Sequence, residues 1–143
     1  TRREHLLKQV KEHAEKMRKF QQEFHKNMSN KDAIQIYKSA DLFIDQLLIG
    51  WYGGVSVEIM KMGKPVAVFI REEDLKFIPK RMASDLKKAI ININPFNIES
   101  VLDKMIFDPK KLKTKSELCH QYVMKWHSPE YIFSILNKHI YSN

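Results

Sequence analysis

The chain has 143 residues, of which 43% are hydrophobic, and carries a formal net charge of +8. This length suits one domain with a substantial core, and no apolar run approaches the roughly 18 residues that a transmembrane helix needs. The only cysteine, Cys119, cannot form an internal disulfide, which favours a reducing, cytoplasmic location. We expect it to be a small core residue. The positive charge favours a polyanionic partner, a phosphorylated ligand or an anionic membrane surface, without choosing among them.

The first predicted elements are a helix, a weak strand and a second helix. Apolar residues at three- and four-residue spacing predict an amphipathic helix over 4–19. Residues 20–26 have a weak strand pattern, and Ser29-x-x-Asp32 resembles a capping box that begins the next helix. A doubly wound α/β domain normally begins with a strand, so we expect this chain to be a fragment of a longer protein.

The stretch 41–71 is predicted to organise the fold as a strand, a glycine turn, a short helix and a second strand. Leu42–Ile44 is a continuous apolar run, typical of a parallel strand that is buried on both faces. The adjacent glycines Gly53 and Gly54 are expected to permit backbone angles and close approach that a side chain would forbid. A helix is predicted from Gly54 to Met62, with Gly63 as its cap and Pro65 as its stop. Val66 to Ile70 is the second strand.

The remaining elements are predicted from apolar periodicity and from proline positions. Residues 72–82 form a helical or irregular segment interrupted by Pro79, 89–93 a short strand, and 98–106 a helix that ends before Pro109. A basic linker follows, containing Lys110, Lys111, Lys113 and Lys115. Such a run is usually just solvated, and contact with a membrane or a phosphate is the alternative. The chain then ends in two helices, 116–127 and 129–141, with the apolar residues of the last one facing inward.

The central unit is suited to a nucleoside diphosphate. Free backbone amides at Gly53, Gly54 and Val55, at the positive end of the helix, can donate to phosphates. Glu58, one turn into that helix, suits the ribose hydroxyls because a carboxylate accepts two hydrogen bonds; alternatively, it is a surface-facing helix residue. Asp45 and Gln46 lie at the carboxyl end of the first strand, where open α/β sheets bind ligands. The six histidines show no zinc-ligand spacing, so no metal site is predicted.

The sequence GWYGGVSVEIMKMGKPV, residues 50–66, resembles the donor-site signature of group 1 GT-B glycosyltransferases. Tyr52-Gly53 matches the aromatic-glycine turn of that family, and 58–60 matches its Glu-Ala-Met. Residues 63–66 match its Gly-x-Pro-Val, and 40–42 match the Ala-Asp that opens its preceding hydrophobic strand. One position departs from the family pattern, because the family's first glutamate, which faces the transferred sugar, falls on Gly50. The catalytic residue is therefore unknown.

The resemblance implies a fold, an activity and a site. The fold would be α/β, with a Rossmann-like parallel sheet flanked by helices. Residues 1–143 would form a single domain, the C-terminal half of a GT-B glycosyltransferase without its first strand and its N-terminal acceptor domain. The protein would transfer a sugar from a nucleoside-diphosphate sugar to a carbohydrate or lipid-linked acceptor, with no metal or other cofactor, and this fragment alone would be inactive. The donor-binding residues would be Asn27, Met28, Gln46, Tyr52, Gly53, Gly54, Val55 and Glu58.

Some of these assignments have alternatives. Asn27 and Met28 would line the base, or simply form a strand-to-helix turn, and Trp51 and Tyr52 would flank the sugar or acceptor, or pack against the missing domain. The Gly50 departure is consistent with a non-catalytic nucleotide- or phosphosugar-binding domain. A basic module for RNA or anionic lipid ranks behind, because most aromatic residues occupy core-like helical positions, and no specific nucleic acid is expected. Peripheral contact with the inner face of a membrane and a homodimer through exposed apolar surface are further expectations.

Overall fold

The structure, a computed structural model, describes residues 29–141 and five isolated residues of the predicted first helix. Those five, Glu4, Lys8, Glu12, Glu15 and Lys19, are helical and exposed, as expected for its charged face. The predicted strand 20–26 and the proposed base-binding residues Asn27 and Met28 lie outside the described residues. The chain divides into two compact units, Thr1–Ile36 and Tyr37–Asn143. The sheet and the site belong to the second unit, and a single domain over 1–143 stays a prediction.

The second unit is mixed α/β, with a parallel sheet flanked by helices. Its strands pair in the order β1-β2-β3, with Phe43 opposite Val66 and Ala67 opposite Ile91. This confirms the predicted fold class at the level of a small parallel sheet between helices. The described elements, of which α1 spans the boundary between the units, are α1 (Asn30–Ser39), β1 (Phe43–Ile44), α2 (Gly54–Lys61), β2 (Val66–Val68), a 3-10 helix (Glu72–Phe77), α3 (Lys80–Ala89), β3 (Ile91–Asn92), α4 (Ile98–Ile106), α5 (Pro109–Trp126) and α6 (Pro129–Tyr141).

The sheet separates two hydrophobic clusters. Val66 and Val68 point into the cluster formed with α2, α3 and α5, whereas Ala67 points into the cluster on the side of α4. This alternation is the period-two geometry of a strand, and it explains why all three residues of β2 are buried. Cys119 is fully buried in the first cluster, as predicted for a core residue.

The boundaries of α5 differ from the sequence prediction. The helix begins at Pro109, so residues 110–115 are helical. The predictions of a basic linker over these residues and of a helix that starts at residue 116 are therefore wrong. The Asp108 carboxylate accepts a hydrogen bond from the backbone amide of Lys111 at 3.0 Å, which caps the helix. Proline suits the first helical position because the amide that it lacks would have no partner there. Pro109 therefore starts α5 directly after α4 ends.

The last helix, α6, has the predicted bounds but not the predicted burial. None of its residues is buried, and Phe133, Leu136 and Ile140 are each more than half exposed. The inward orientation predicted for these residues is therefore wrong within the part of the chain that the structure describes. No described helix is both long enough and apolar enough to cross a membrane.

Candidate functional site

The turn between β1 and α2, residues 45–53, lies at the carboxyl end of the sheet. The backbone amide of Phe69 donates to the carbonyl of Gln46 at 3.0 Å, and that of Arg71 donates to the carbonyl of Gly50 at 2.9 Å. These bonds continue the pairing of β1 and β2 beyond the strands themselves. The β1–α2 turn is therefore fixed to the edge where parallel α/β sheets bind ligands.

Asp45 holds the two ends of this turn together. Its Oδ2 atom accepts a hydrogen bond from the backbone amide of Gly53 at 2.9 Å and another from the hydroxyl of Ser56. A carboxylate at this position stabilises the positive end of α2. Asp45, which the sequence suggested as a ligand-site residue, thus ties the N-cap residue Gly53 to the side chain of Ser56 in the first turn of α2. The Gly53 amide, predicted to donate to a phosphate, donates to Asp45 instead.

Two exposed amides remain at the start of α2. Gly54 and Val55 are both exposed, and their backbone N–H groups have no acceptor among the described residues. First-turn amides lack a partner within their own helix, so they are free to donate to an anion. Glu58 is also exposed and lies one turn further along α2, and its carboxylate has no partner in the part of the chain described.

The glycines with unusual backbone angles are not the adjacent pair. Positive φ occurs at Gly50 (90°) and Gly63 (72°), whereas Gly53 has a φ of −91° that any residue adopts. A Cβ atom added at Gly54 would meet nothing within 4 Å. The predicted need for glycine at 53 and 54 is therefore wrong for the backbone angles, while Gly63 follows the helix as predicted.

Arg71 covers Gly50. A Cβ atom added at Gly50 would lie 3.0 Å from the Cβ of Arg71 and 3.2 Å from its Nε and Nη2 atoms. The guanidinium donates to the carbonyl of Ile49 at 3.2 Å and lies 3.4 Å from a carboxylate oxygen of Asp74. The side chain remains 47% exposed. At the position where the resembling family has a glutamate, this chain therefore has a buried glycine beneath an arginine.

Gln46 is the second residue of the turn, and its side chain packs near Gly53. Its Nε2 atom is 3.4 Å from the position of a Cβ at Gly53, and its Oε1 atom is buried with no hydrogen-bond partner among the described residues. An unsatisfied buried acceptor costs about 1–3 kcal/mol. Gln46 thus lies at the carboxyl end of β1 with one buried acceptor unpaired, and its role in donor binding stays a prediction.

Tyr52 anchors the turn to α5. Its ring is buried, and its hydroxyl lies 2.8 Å from the hydroxyl of Tyr122 and 2.8 Å from Nε2 of His127. Burial raises the pKa of both tyrosines and lowers the pKa of His127, which Lys61 lowers further. All three groups are therefore neutral near pH 7, and hydrogen bonds between neutral groups hold the cluster. The Tyr52 ring, predicted to flank the sugar or acceptor or to pack against a missing domain, packs in the core.

Comparisons of the chain with protein-family models, with curated proteins and with solved structures find no match. The link to glycosyltransferases therefore rests only on the resemblance of the motif at residues 50–66. Among the described residues, no group of three or more His, Cys, Asp or Glu side chains is placed to hold a metal ion.

The structure brings together some of the predicted donor residues and places Arg71 beside the turn. Gln46, Gly53, Gly54 and Val55 lie in or at the end of one turn, and Glu58 is on the helix that follows. Arg71 was not predicted as a site residue. The only sequence indication was its place as the first polar residue after the apolar run that contains β2, which puts it at the carboxyl edge.

Proposed function

We propose that this chain is the donor-binding domain of a GT-B type glycosyltransferase. The enzyme would transfer a sugar from a nucleoside-diphosphate sugar to a carbohydrate or lipid-linked acceptor. The observation that carries this proposal is the exposed first turn of α2, where the free amides of Gly54 and Val55 precede the unpaired carboxylate of Glu58.

The binding mode follows from the chemistry of these groups. The diphosphate accepts hydrogen bonds from the exposed amides of Gly54 and Val55 at the positive end of α2. Glu58 lies four residues after Gly54, about 6 Å along the helix axis. Its carboxylate accepts hydrogen bonds from the two ribose hydroxyls. Arg71 has five N–H donors and a half-exposed side chain at the same edge, which offers further donors to an anionic part of the ligand.

A second candidate function is nucleotide or phosphosugar binding without transfer. The arrangement at Gly50 favours it, because a buried position with a φ of 90° beneath Arg71 offers no room for an acidic side chain. Analysis of products from a labelled nucleotide-sugar donor separates the two candidates, since only the transferase yields a glycosylated acceptor.

Calorimetric titration with uridine and guanosine diphosphates tests the donor site. We expect saturable binding of one of them and an affinity at least about tenfold lower in Glu58→Ala, because hydrogen bonds to a charged carboxylate contribute about 1.5–3 kcal/mol each. Glu117→Ala is the matched control, since Glu117 is an exposed helical glutamate of α5. Equal affinities for Glu58→Ala and the unaltered protein, or no binding of either nucleotide, would reject the donor site.

A further inference from the structure

The corner between α4 and α5 exposes adjacent apolar side chains. Only Phe107 and Asp108 separate the two helices, and Ile106 and Phe107 are 62% and 83% exposed. Moving one such side chain out of water is worth about 1.5–3 kcal/mol. The corner therefore has a strong tendency to bind an apolar environment.

The same corner is rich in unpaired lysines. Lys104 is in the last turn of α4, and Lys110, Lys111 and Lys113 are in the first turns of α5. All four side chains are exposed. Their ammonium groups have no hydrogen-bond or ion-pair partner among the described residues. Asp103 and Asp108 are acidic residues of the corner itself, Asp108 caps α5, and Asp41 lies across an adjoining cavity. The corner thus combines exposed apolar side chains with a surplus of positive charge.

A cavity of about 510 Å³ adjoins the corner, at the amino ends of β1 and β2. Ile106, Pro109 and Lys113 line it on the side of the corner, and Lys64 and Pro65 line it on the side of the sheet. Asp41 also lines it, so the cavity has charges of both signs, and the surplus of positive charge is on the exposed corner.

We propose that this corner, residues 104–113, docks on an anionic phospholipid bilayer. The lysines bind headgroup phosphates, each contributing about 1 kcal/mol near an anionic surface, while Ile106 and Phe107 enter the boundary of the acyl chains. A nucleic acid or a free phosphate would engage the lysines but leave the aliphatic side chain of Ile106 in water. This proposal does not depend on the proposed function of the β1–α2 turn.

Cosedimentation with vesicles tests the docking. We expect binding to an equal mixture of phosphatidylcholine and phosphatidylglycerol, and little binding to phosphatidylcholine alone. Phe107→Ser should lower the partition coefficient about tenfold or more. Phe96→Ser is the matched control, because Phe96 precedes the other end of α4 and is 99% exposed, and it should leave partitioning unchanged.

The charge requirement has its own pair of variants. Replacing Lys111 and Lys113 by Gln should lower partitioning about tenfold to thirtyfold, whereas the same change at Lys80 and Lys138, exposed on other helices, should have a much smaller effect.

Three results would overturn the proposal. They are no binding to the anionic vesicles, equal effects of Phe107→Ser and Phe96→Ser, and lysine-dependent binding that ignores Phe107 and is abolished by competing RNA. Thermal unfolding of each variant confirms that its fold is intact. The nucleotide titration is repeated on the same variants. Because the docking does not depend on the donor site, either proposal can fail while the other holds.

Discussion

The two ends of the sheet differ in what they expose: backbone amides at the carboxyl end of the strands, and apolar side chains at the amino end. At the carboxyl edge, Tyr52 and Arg71 hold the β1–α2 turn with their side chains, and backbone amides at Gly54 and Val55 are exposed. At the amino edge, Asp108 satisfies the backbone and the apolar side chains after α4 are exposed. Exposed amides suit a small anion, whereas exposed side chains suit an extended surface. The turn is held by buried and tightly packed contacts, so variants of those contacts should affect stability, whereas variants of the exposed corner should affect binding with little change in stability.

The largest effect on stability is expected from Gly50→Ala. Alanine at a φ of 90° is strained, and its Cβ atom would lie 3.0 Å from the Cβ of Arg71, which has little freedom to move. We expect the free energy of unfolding in urea to fall by about 2–4 kcal/mol.

Gly54→Ala, directly after the turn, is the matched control. A Cβ atom there meets nothing within 4 Å, and the residue begins α2. We expect no loss of stability and a gain of up to about 1 kcal/mol. Equal losses in the two variants would show that Arg71 and the backbone angle do not constrain Gly50.

Tyr52→Phe should have the next largest effect. The substitution removes the hydroxyl that lies between Tyr122 and His127 and leaves two partly or fully buried polar groups without this partner. We expect a loss of about 1–3 kcal/mol in urea unfolding. Tyr141→Phe, at a tyrosine that is 78% exposed on α6, should change nothing measurable. A Tyr52→Phe protein as stable as this control would show that the cluster does not anchor the turn.

The smallest effect concerns pH. Burial holds the pKa of His127 below the ordinary value of about 6.5, so the unfolded chain takes up a proton first as the pH falls. The contribution of neutral His127 to stability is therefore present above about pH 6.5 and is lost as the pH falls toward the folded-state pKa. We expect the urea midpoint between pH 8 and 5 to depend less on pH in His127→Gln. If the urea midpoint of His127→Gln depends on pH as strongly as that of the unaltered protein, groups other than His127 cause the pH dependence.

The sheet was predictable from sequence because its signals are local. Leu42–Ile44 and Val66–Ile70 are apolar runs of strand length, and the helix between them ends at a glycine and a proline that punctuate it. The start of α5 was not predictable in the same way. Pro109 was interpreted as the end of one helix, although a proline also suits the first position of the next.

The candidate site was only partly predictable because its supports are distant in sequence. The hydroxyl of Tyr52 binds residues 70 and 75 positions later, which no periodicity indicates. The requirement for glycine at position 50 comes from the side chain of Arg71, 21 residues later, and from the path of the turn. Neither is visible in the local sequence, so glycine was predicted to be needed at Gly53 and Gly54 instead. The positions of Gln46 at a strand end and of Glu58 in the second turn of a helix could be predicted, because both are local features of the sequence.

The order of the strands also bears on how the chain folds. Each strand pairs with the one that follows it in sequence, and Phe43 meets Val66 only 23 residues later. The entropic cost of closing a loop rises by only about 0.6 kcal/mol for each doubling of its length, and each pairing of this sheet joins segments that are near each other in sequence. Helix α5 packs against α2, α3, α4 and β2. Val66 and Val68 pack against α2, α3 and α5, so their burial is complete only when the residues up to about Trp126 are present.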